Sequence, residues 1–162
     1  MVGKAILFRR GGMVKLDGVY RFQCPRARAW NLLQDPVVLC DVITGCREMS
    51  LNQGEYRLTI KIGVSMVAGT YRATVRINES SHLELLRLSV TGSGMGGGVR
   101  GNGLVTLAEN AEHTEVTVTG QAHVTGLAAI AGERTLNGLA KSMADQFFSR
   151  LAVRVEQAAA GY

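Results

Sequence analysis

The C-terminal stretch of the chain constrains its fold more than any other. Across residues 127–155, Leu136, Leu139, Ala140, Met143, Phe147 and Leu151 recur at three- and four-residue spacing, while Asn137, Lys141, Asp145, Gln146, Ser149 and Arg150 take the opposite side. A helix with one apolar stripe has to bury that stripe. Most of what precedes it reads as strands, so the pattern asks for a sheet on which the helix can lie.

The sheet is written in a period of two that begins near Glu48. After a hairpin turn at Asn52-Gln53-Gly54, Tyr56, Leu58, Ile60 and Ile62 alternate with Arg57, Thr59 and Lys61. Residues 65–77 then set Tyr71, Ala73, Val75 and Ile77 against Arg72, Thr74 and Arg76. Turns predicted over residues 78–81 and 110–113 delimit strands over residues 82–91, 99–108 and 114–125. Upstream, residues 14–22 read as a strand ended by Cys24-Pro25. Pro25 opens a helix over residues 27–33, with Trp30 and Leu33 on one face. A second short helix follows Asp35-Pro36, with Asp35 as N-cap and Val37, Val38 and Leu39 buried. The implied class is α+β: a curved seven-stranded antiparallel sheet around a long C-terminal helix, with two short helices after the first strand. This is the helix-grip arrangement.

A chain of 162 residues fits one domain, read here as residues 13–157 between a poorly ordered extension, 1–12, and a tail, 158–162. With 46% apolar residues, 19% charged residues and 2 prolines it has a globular composition, and no apolar run reaches the roughly 18 residues of a membrane span. The net charge of +5 attracts acidic partners without selecting among them. The odd set Cys24, Cys40 and Cys46 lacks CxxC spacing, which points to a reducing, cytoplasmic setting with neither a disulfide framework nor a zinc site.

Catalytic and cofactor signatures are weak. Gly92, Gly94 and Gly97 match GxGxxG after a predicted strand, but a strand follows where a phosphate-binding loop needs a helix N-terminus. A flexible, bulged hairpin is the simpler reading. His82, His113 and His123 are dispersed, and His123 is out of phase with Val116, Val118, Ala122 and Val124, so no metal or cofactor is expected. Carboxylates sit at turns, caps and the polar side of the helix, and no GxSxG is present. Cys46 reads as a small packing residue or a reactive thiol, and Cys24 and Cys40 as packing.

The interior carries the positive signal. Tyr56, Leu58, Ile60, Tyr71, Ala73, Val75, Leu86, Leu88 and Val90 from the strands, with Leu136, Leu139, Ala140, Met143 and Phe147 from the helix, are expected to line a ligand site between the two layers. A filled core would use the same stripe. Small residues at Ala73, Gly120, Ala122, Gly138 and Ala140 favour a cavity, and Tyr56 and Tyr71 supply hydroxyls to orient a ligand. On the outer face, Arg57, Lys61, Arg72, Arg76 and Arg87 form a basic stripe, either solvated or a docking surface for an acidic partner or anionic membrane. Aromatic residues do not interleave with it, which disfavours nucleic acid.

Asp35-Pro36 with Leu39, Ile43-Thr44-Gly45-Cys46, Gly69-Thr70-Tyr71, the glycines around Gly94 and Gly103, and Ala144-Asp145-Gln146-Phe147-Phe148 together resemble the carbon monoxide dehydrogenase CoxG family, of the START and Bet v 1-like (SRPBCC) superfamily. Thr44 departs from the proline common there. The resemblance implies a deep apolar cavity and a non-enzymatic accessory of a molybdenum-containing carbon monoxide dehydrogenase or related hydroxylase, holding a lipid or quinone with at most peripheral contact with the inner face of the membrane. It leaves two alternatives: a polyketide cyclase- or hydrolase-like enzyme, if a register slip turns Gln121 and His123 inward, or a ligand-free assembly or membrane-recruitment factor.

Overall fold

A computed structural model describes residues 12–64 and 67–160, with side chains as far as Gln157. The strands are β1 (Gly12–Phe22), β2 (Cys46–Asn52), β3 (Glu55–Ile62), β4 (Gly69–Ser81), β5 (Leu85–Gly94), β6 (Gly97–Asn110) and β7 (His113–Thr125). The helices are α1 (Arg26–Leu32), α2 (Pro36–Val42), α3 (Leu127–Ile130) and α4 (Glu133–Ala160). All seven strands form one antiparallel sheet in the order β1-β7-β6-β5-β4-β3-β2, so the first strand closes against the last. Of the proposed extension, residues 1–12, only Gly12 is described, where it begins β1; residues 1–11 lie outside the described residues.

Alternation builds the sheet as expected. β1 buries Gly12 and Phe22 at its ends and partly buries Val14, Leu16, Gly18 and Tyr20 between exposed neighbours. The β2–β3 hairpin turns on Gln53 and Gly54, both at positive φ, the signature of a type I′ turn. Asp35 caps α2, its carboxylate accepting from the backbone N–H of Val37 at 3.0 Å and of Val38 at 3.4 Å. Val38, Leu39 and Val42 point inward at helical spacing. Val37 falls on the far side and is 74% exposed, contrary to the expectation that it packs.

Two boundaries differ from the sequence reading for identifiable reasons. The polar run Asn78-Glu79-Ser80-Ser81 resembles a turn, yet a bulge between Ile77 and Glu79 lets β4 keep pairing with β5 as far as Ser81. The turn falls instead at residues 82–84, with Leu83 at positive φ. The C-terminal helix is interrupted as well: Gly132 (φ +88) ends α3 and α4 starts at Glu133.

Helix α4 packs on the inner face of the sheet and is tethered along its length. Asn137 Oδ1 accepts the Lys15 N–H at 2.9 Å, and Asp145 accepts the Tyr20 hydroxyl at 2.9 Å. The Thr44 hydroxyl donates to Gln146 at 2.7 Å, and Arg154 pairs with Asp41 at 2.6 Å. Under its C-terminal half lies the main core, in which Phe22, Trp30, Val42 and Val116 meet Phe148, Leu151 and Val155. Tyr20 stacks on Phe148 with ring centroids 4.0 Å apart. A smaller cluster, Val67, Val124, Ala128 and Leu136, lies at the other end.

Candidate functional site

Space remains between sheet and helix in two adjacent lobes. The first, about 220 Å³, is bounded by Leu33, Leu39 and Ile43 from the short-helix region, by Met49, Tyr56, Leu58, Val75, Ile77, Leu86, Leu88 and Val105 from the sheet, and by Phe147 and Phe148 from α4. The second, about 280 Å³, lies toward the N-terminal half of α4 under Leu136, Leu139, Ala140 and Met143. Its floor is Ile60, Ile62, Tyr71, Ala73, Gly92, Val99, Ala122 and Val124, and Val67 and Ala128 close one end. The second lobe owes its width to Ala73, Gly92, Ala122 and Ala140, where larger side chains would fill it.

Each residue expected from the sequence can be located. Tyr56, Leu58, Val75, Leu86, Leu88 and Phe147 line the first lobe, and Ile60, Tyr71, Ala73, Leu136, Leu139, Ala140 and Met143 line the second. Val90 lies on the same strand face between Leu88 and Gly92 and lines neither lobe. Gly138 does not shape the cavity, since a Cβ there meets nothing within 4 Å and the residue is exposed. The residues not anticipated are chiefly Leu33, Leu39, Ile43 and Met49. Helical spacing shows that Leu39 turns inward, but only the tertiary arrangement shows that this face meets the lobe.

The polar chemistry inside is already engaged. The Tyr56 hydroxyl donates to the Gln34 carbonyl at 2.6 Å, and the Tyr71 hydroxyl donates to the Val67 carbonyl at 2.6 Å. Burial, reinforced by Asp35, raises the Tyr56 pKa, and burial alone raises that of Tyr71. Both phenols therefore stay neutral and pin the walls, leaving a ligand only their acceptor lone pairs. His123 and Gln121 alternate with the lining residues Ala122 and Val124 and line neither lobe, so the register that would bring them inward is not adopted. His82 lies in the β4–β5 turn, edge-on to Trp30 with centroids 5.8 Å apart. Among the described residues no group of three or more His, Cys, Asp or Glu side chains could hold a metal ion.

The outer face is more neutral than its sequence suggests. Arg57 and Arg76 both pair with Glu55, with Arg57 at 2.8 Å, and these arginines, Arg76 first, lower the Glu55 pKa. Arg87 pairs with Glu79 at 3.2 Å. Lys61 and Arg72 remain without an ion pair among the described residues. A wider depression on this face, about 500 Å³ over Lys15, Asp17, Arg87, Asn102 and Gln121, is open and polar, so an apolar guest there would stay in water. No described helix is long and apolar enough to cross a membrane.

The same architecture occurs in solved structures. A conserved protein from Geobacillus kaustophilus is 29% identical, with a TM-score of 0.85, over 89% of this chain and 96% of that one. The Zhui aromatase/cyclase from Streptomyces sp. R1128 matches at 11% identity over 90% of this chain and 94% of that one, with a TM-score of 0.70. Ara h 8.0201 matches at 12% identity over 90% and 99%, with a TM-score of 0.67. At such identities the last two establish the fold alone, which is the Bet v 1-like helix-grip fold. No curated protein matches the chain. The family model for the carbon monoxide dehydrogenase protein CoxG matches residues 18–156, which is nearly the whole described fold, and the chain therefore belongs to the CoxG family.

Proposed function

We propose that this protein is a non-enzymatic carrier of an apolar small molecule, a lipid or quinone, serving as an accessory to a molybdenum-containing carbon monoxide dehydrogenase or related hydroxylase in the cytoplasm. The observation that carries this reading is the pair of carbon-lined lobes between sheet and helix whose two phenols are bonded to backbone carbonyls. Each lobe alone falls short of the roughly 300–1,000 Å³ of a site for a drug-sized ligand, and a guest that spans both would occupy a volume within that range. An elongated hydrocarbon chain suits such a shape. Apolar burial at about 25 cal/mol per Å² would supply the affinity. The family's description supports a carbon monoxide dehydrogenase as partner.

Catalysis of the cyclase type is the weaker reading, because the lobes lack a converging acid and base. A specific observation favours ligand exchange at a lipid surface. Met95 (93% exposed), Leu127, Ile130 and Val64 present apolar side chains to solvent. They neighbour residues that bound the second lobe: Ala128 donates to the Gly96 carbonyl at 2.7 Å, and Val67 to that of Val64 at 3.0 Å.

Replacing Ala140 by Phe tests the assignment. Affinity for a hydrophobic fluorescent probe should fall at least about tenfold while circular dichroism and melting temperature stay near wild type, because the new ring occupies existing space. Undiminished probe affinity in a folded Ala140→Phe protein would refute the second lobe as the site.

A further inference from the structure

The sequence separates Cys40 and Cys46, but the fold joins them. Cys40 lies in the last turn of α2 and Cys46 begins β2. The connection between them is tightly bonded: Ile43 N–H donates to the Leu39 carbonyl at 2.9 Å, and Cys46 N–H donates to the Ile43 carbonyl at 3.1 Å. Gly45 takes φ +83, and a Cβ there would collide with the Lys61 backbone, so only glycine makes this turn. The result is a Sγ–Sγ separation of 2.6 Å, closer than two unbonded sulfurs normally rest. Both residues are half-buried, and the other polar contact of Cys46 Sγ is with the Glu48 carbonyl at 3.6 Å.

We propose that Cys40 and Cys46 are a redox modification site that forms a reversible intrachain disulfide by exchange with a low-molecular-weight disulfide of the glutathione type. The Cys40 thiolate attacks one sulfur of the small disulfide, breaking its S–S bond, releasing one small thiol and leaving a mixed disulfide on Cys40. Cys46 then loses its proton and attacks the Cys40 sulfur, releasing the second small thiol. Two protein thiols are thereby oxidised, two electrons reduce the small disulfide, and the two S–H protons end on the released thiols. Closing the gap to about 2.05 Å asks for side-chain adjustment rather than movement of α2.

Burial, and then the neighbouring Cys40, pushes the Cys46 thiol up to about 12, so exchange should speed up as the pH rises. Cys24 is buried, at 4% exposure, and keeps its thiol as an internal control. The new bond would tie α2 to β2. Because Leu39 and Ile43 on one side and Met49 on the other bound the first lobe, oxidation stiffens that wall, although the bond itself does not depend on the ligand reading.

The test is incubation of the full chain with oxidised glutathione, followed by intact mass, thiol counting and peptide mapping. The expected product has lost about 2 Da, carries a Cys40–Cys46 linked peptide and retains one free thiol. A Cys46→Ser protein should stop at a stable glutathione adduct on Cys40, and hydrogen exchange in α2 should slow only in oxidised wild type. Three free thiols after incubation, adducts on both cysteines that do not resolve, or cross-linked dimers would each overturn the proposal.

Discussion

The two halves of α4 face the same sheet and make opposite kinds of contact. Toward the C-terminus, Phe148, Leu151 and Val155 meet Phe22, Trp30, Val42 and Val116, and Leu151 and Val116 are 0% exposed. Toward the N-terminus, Leu139, Ala140 and Met143 lie over Ala73, Gly92 and Ala122, and a lobe of about 280 Å³ stays open. The backbone arrangement is shared, so side-chain volume decides where the interface is packed, as around Leu151 and Val155, and where it stays open, as under Leu139, Ala140 and Met143. Stability is concentrated at one end, leaving the other free to accept a guest.

The sharpest way to break this comparison is to truncate both halves. Leu151→Ala should cost about 3 kcal/mol in chemical denaturation, the loss for a fully enclosed leucine, whereas Leu139→Ala beside existing space should cost about 1 kcal/mol. Equal losses would mean that the second lobe is packed in solution. Overfilling should give the same ranking. Ala29→Leu, at 1% exposure in the packed half, should lose about 2 kcal/mol, while Ala73→Val in the open half should be neutral or slightly stabilising.

Tyr20 sharpens the contrast through pH. Burial, and then the hydrogen bond to Asp145, raises its pKa from 10.0 to about 12. The folded state therefore holds this proton more tightly than the unfolded state, so the contribution is complete below pH 10.0 and is lost as the pH climbs toward 12. Tyr20→Phe should flatten that part of the alkaline profile and cost about 1 kcal/mol at neutral pH through the lost hydrogen bond. An unchanged alkaline slope would assign the loss to other groups, of which Cys46 shifts in the same direction. The smallest change expected is a gain: Gly138→Ala should stabilise α4 by about 0.5–1 kcal/mol without touching either lobe, and probe binding should be unaffected.

Much of this architecture is legible in the sequence because period identifies faces. The alternation of Tyr56, Leu58 and Ile60, and the stripe from Leu136 to Phe147, mark inward residues regardless of what they meet. Period is silent about partners across the sheet. Glu55 lies opposite Arg76 and close to Arg57, which neutralises much of an apparently basic stripe, and the contact with Arg76 does not follow from one strand alone. Local composition also misleads where backbone geometry intervenes, as the bulge at Asn78 and the left-handed Gly132 show. The walls given by Leu33, Leu39 and Ile43, and the meeting of Cys40 with Cys46, arise from how α2 folds back on β2.

The central claim, that the open half of the helix–sheet interface holds an apolar guest, is tested most directly by purifying the protein from its own host and examining it by native mass spectrometry, with small-molecule analysis of the organic extract. The account predicts one lipid or isoprenoid quinone per chain, absent from Ala140→Phe purified in parallel. A protein that arrives empty and takes up no hydrophobic probe would contradict it.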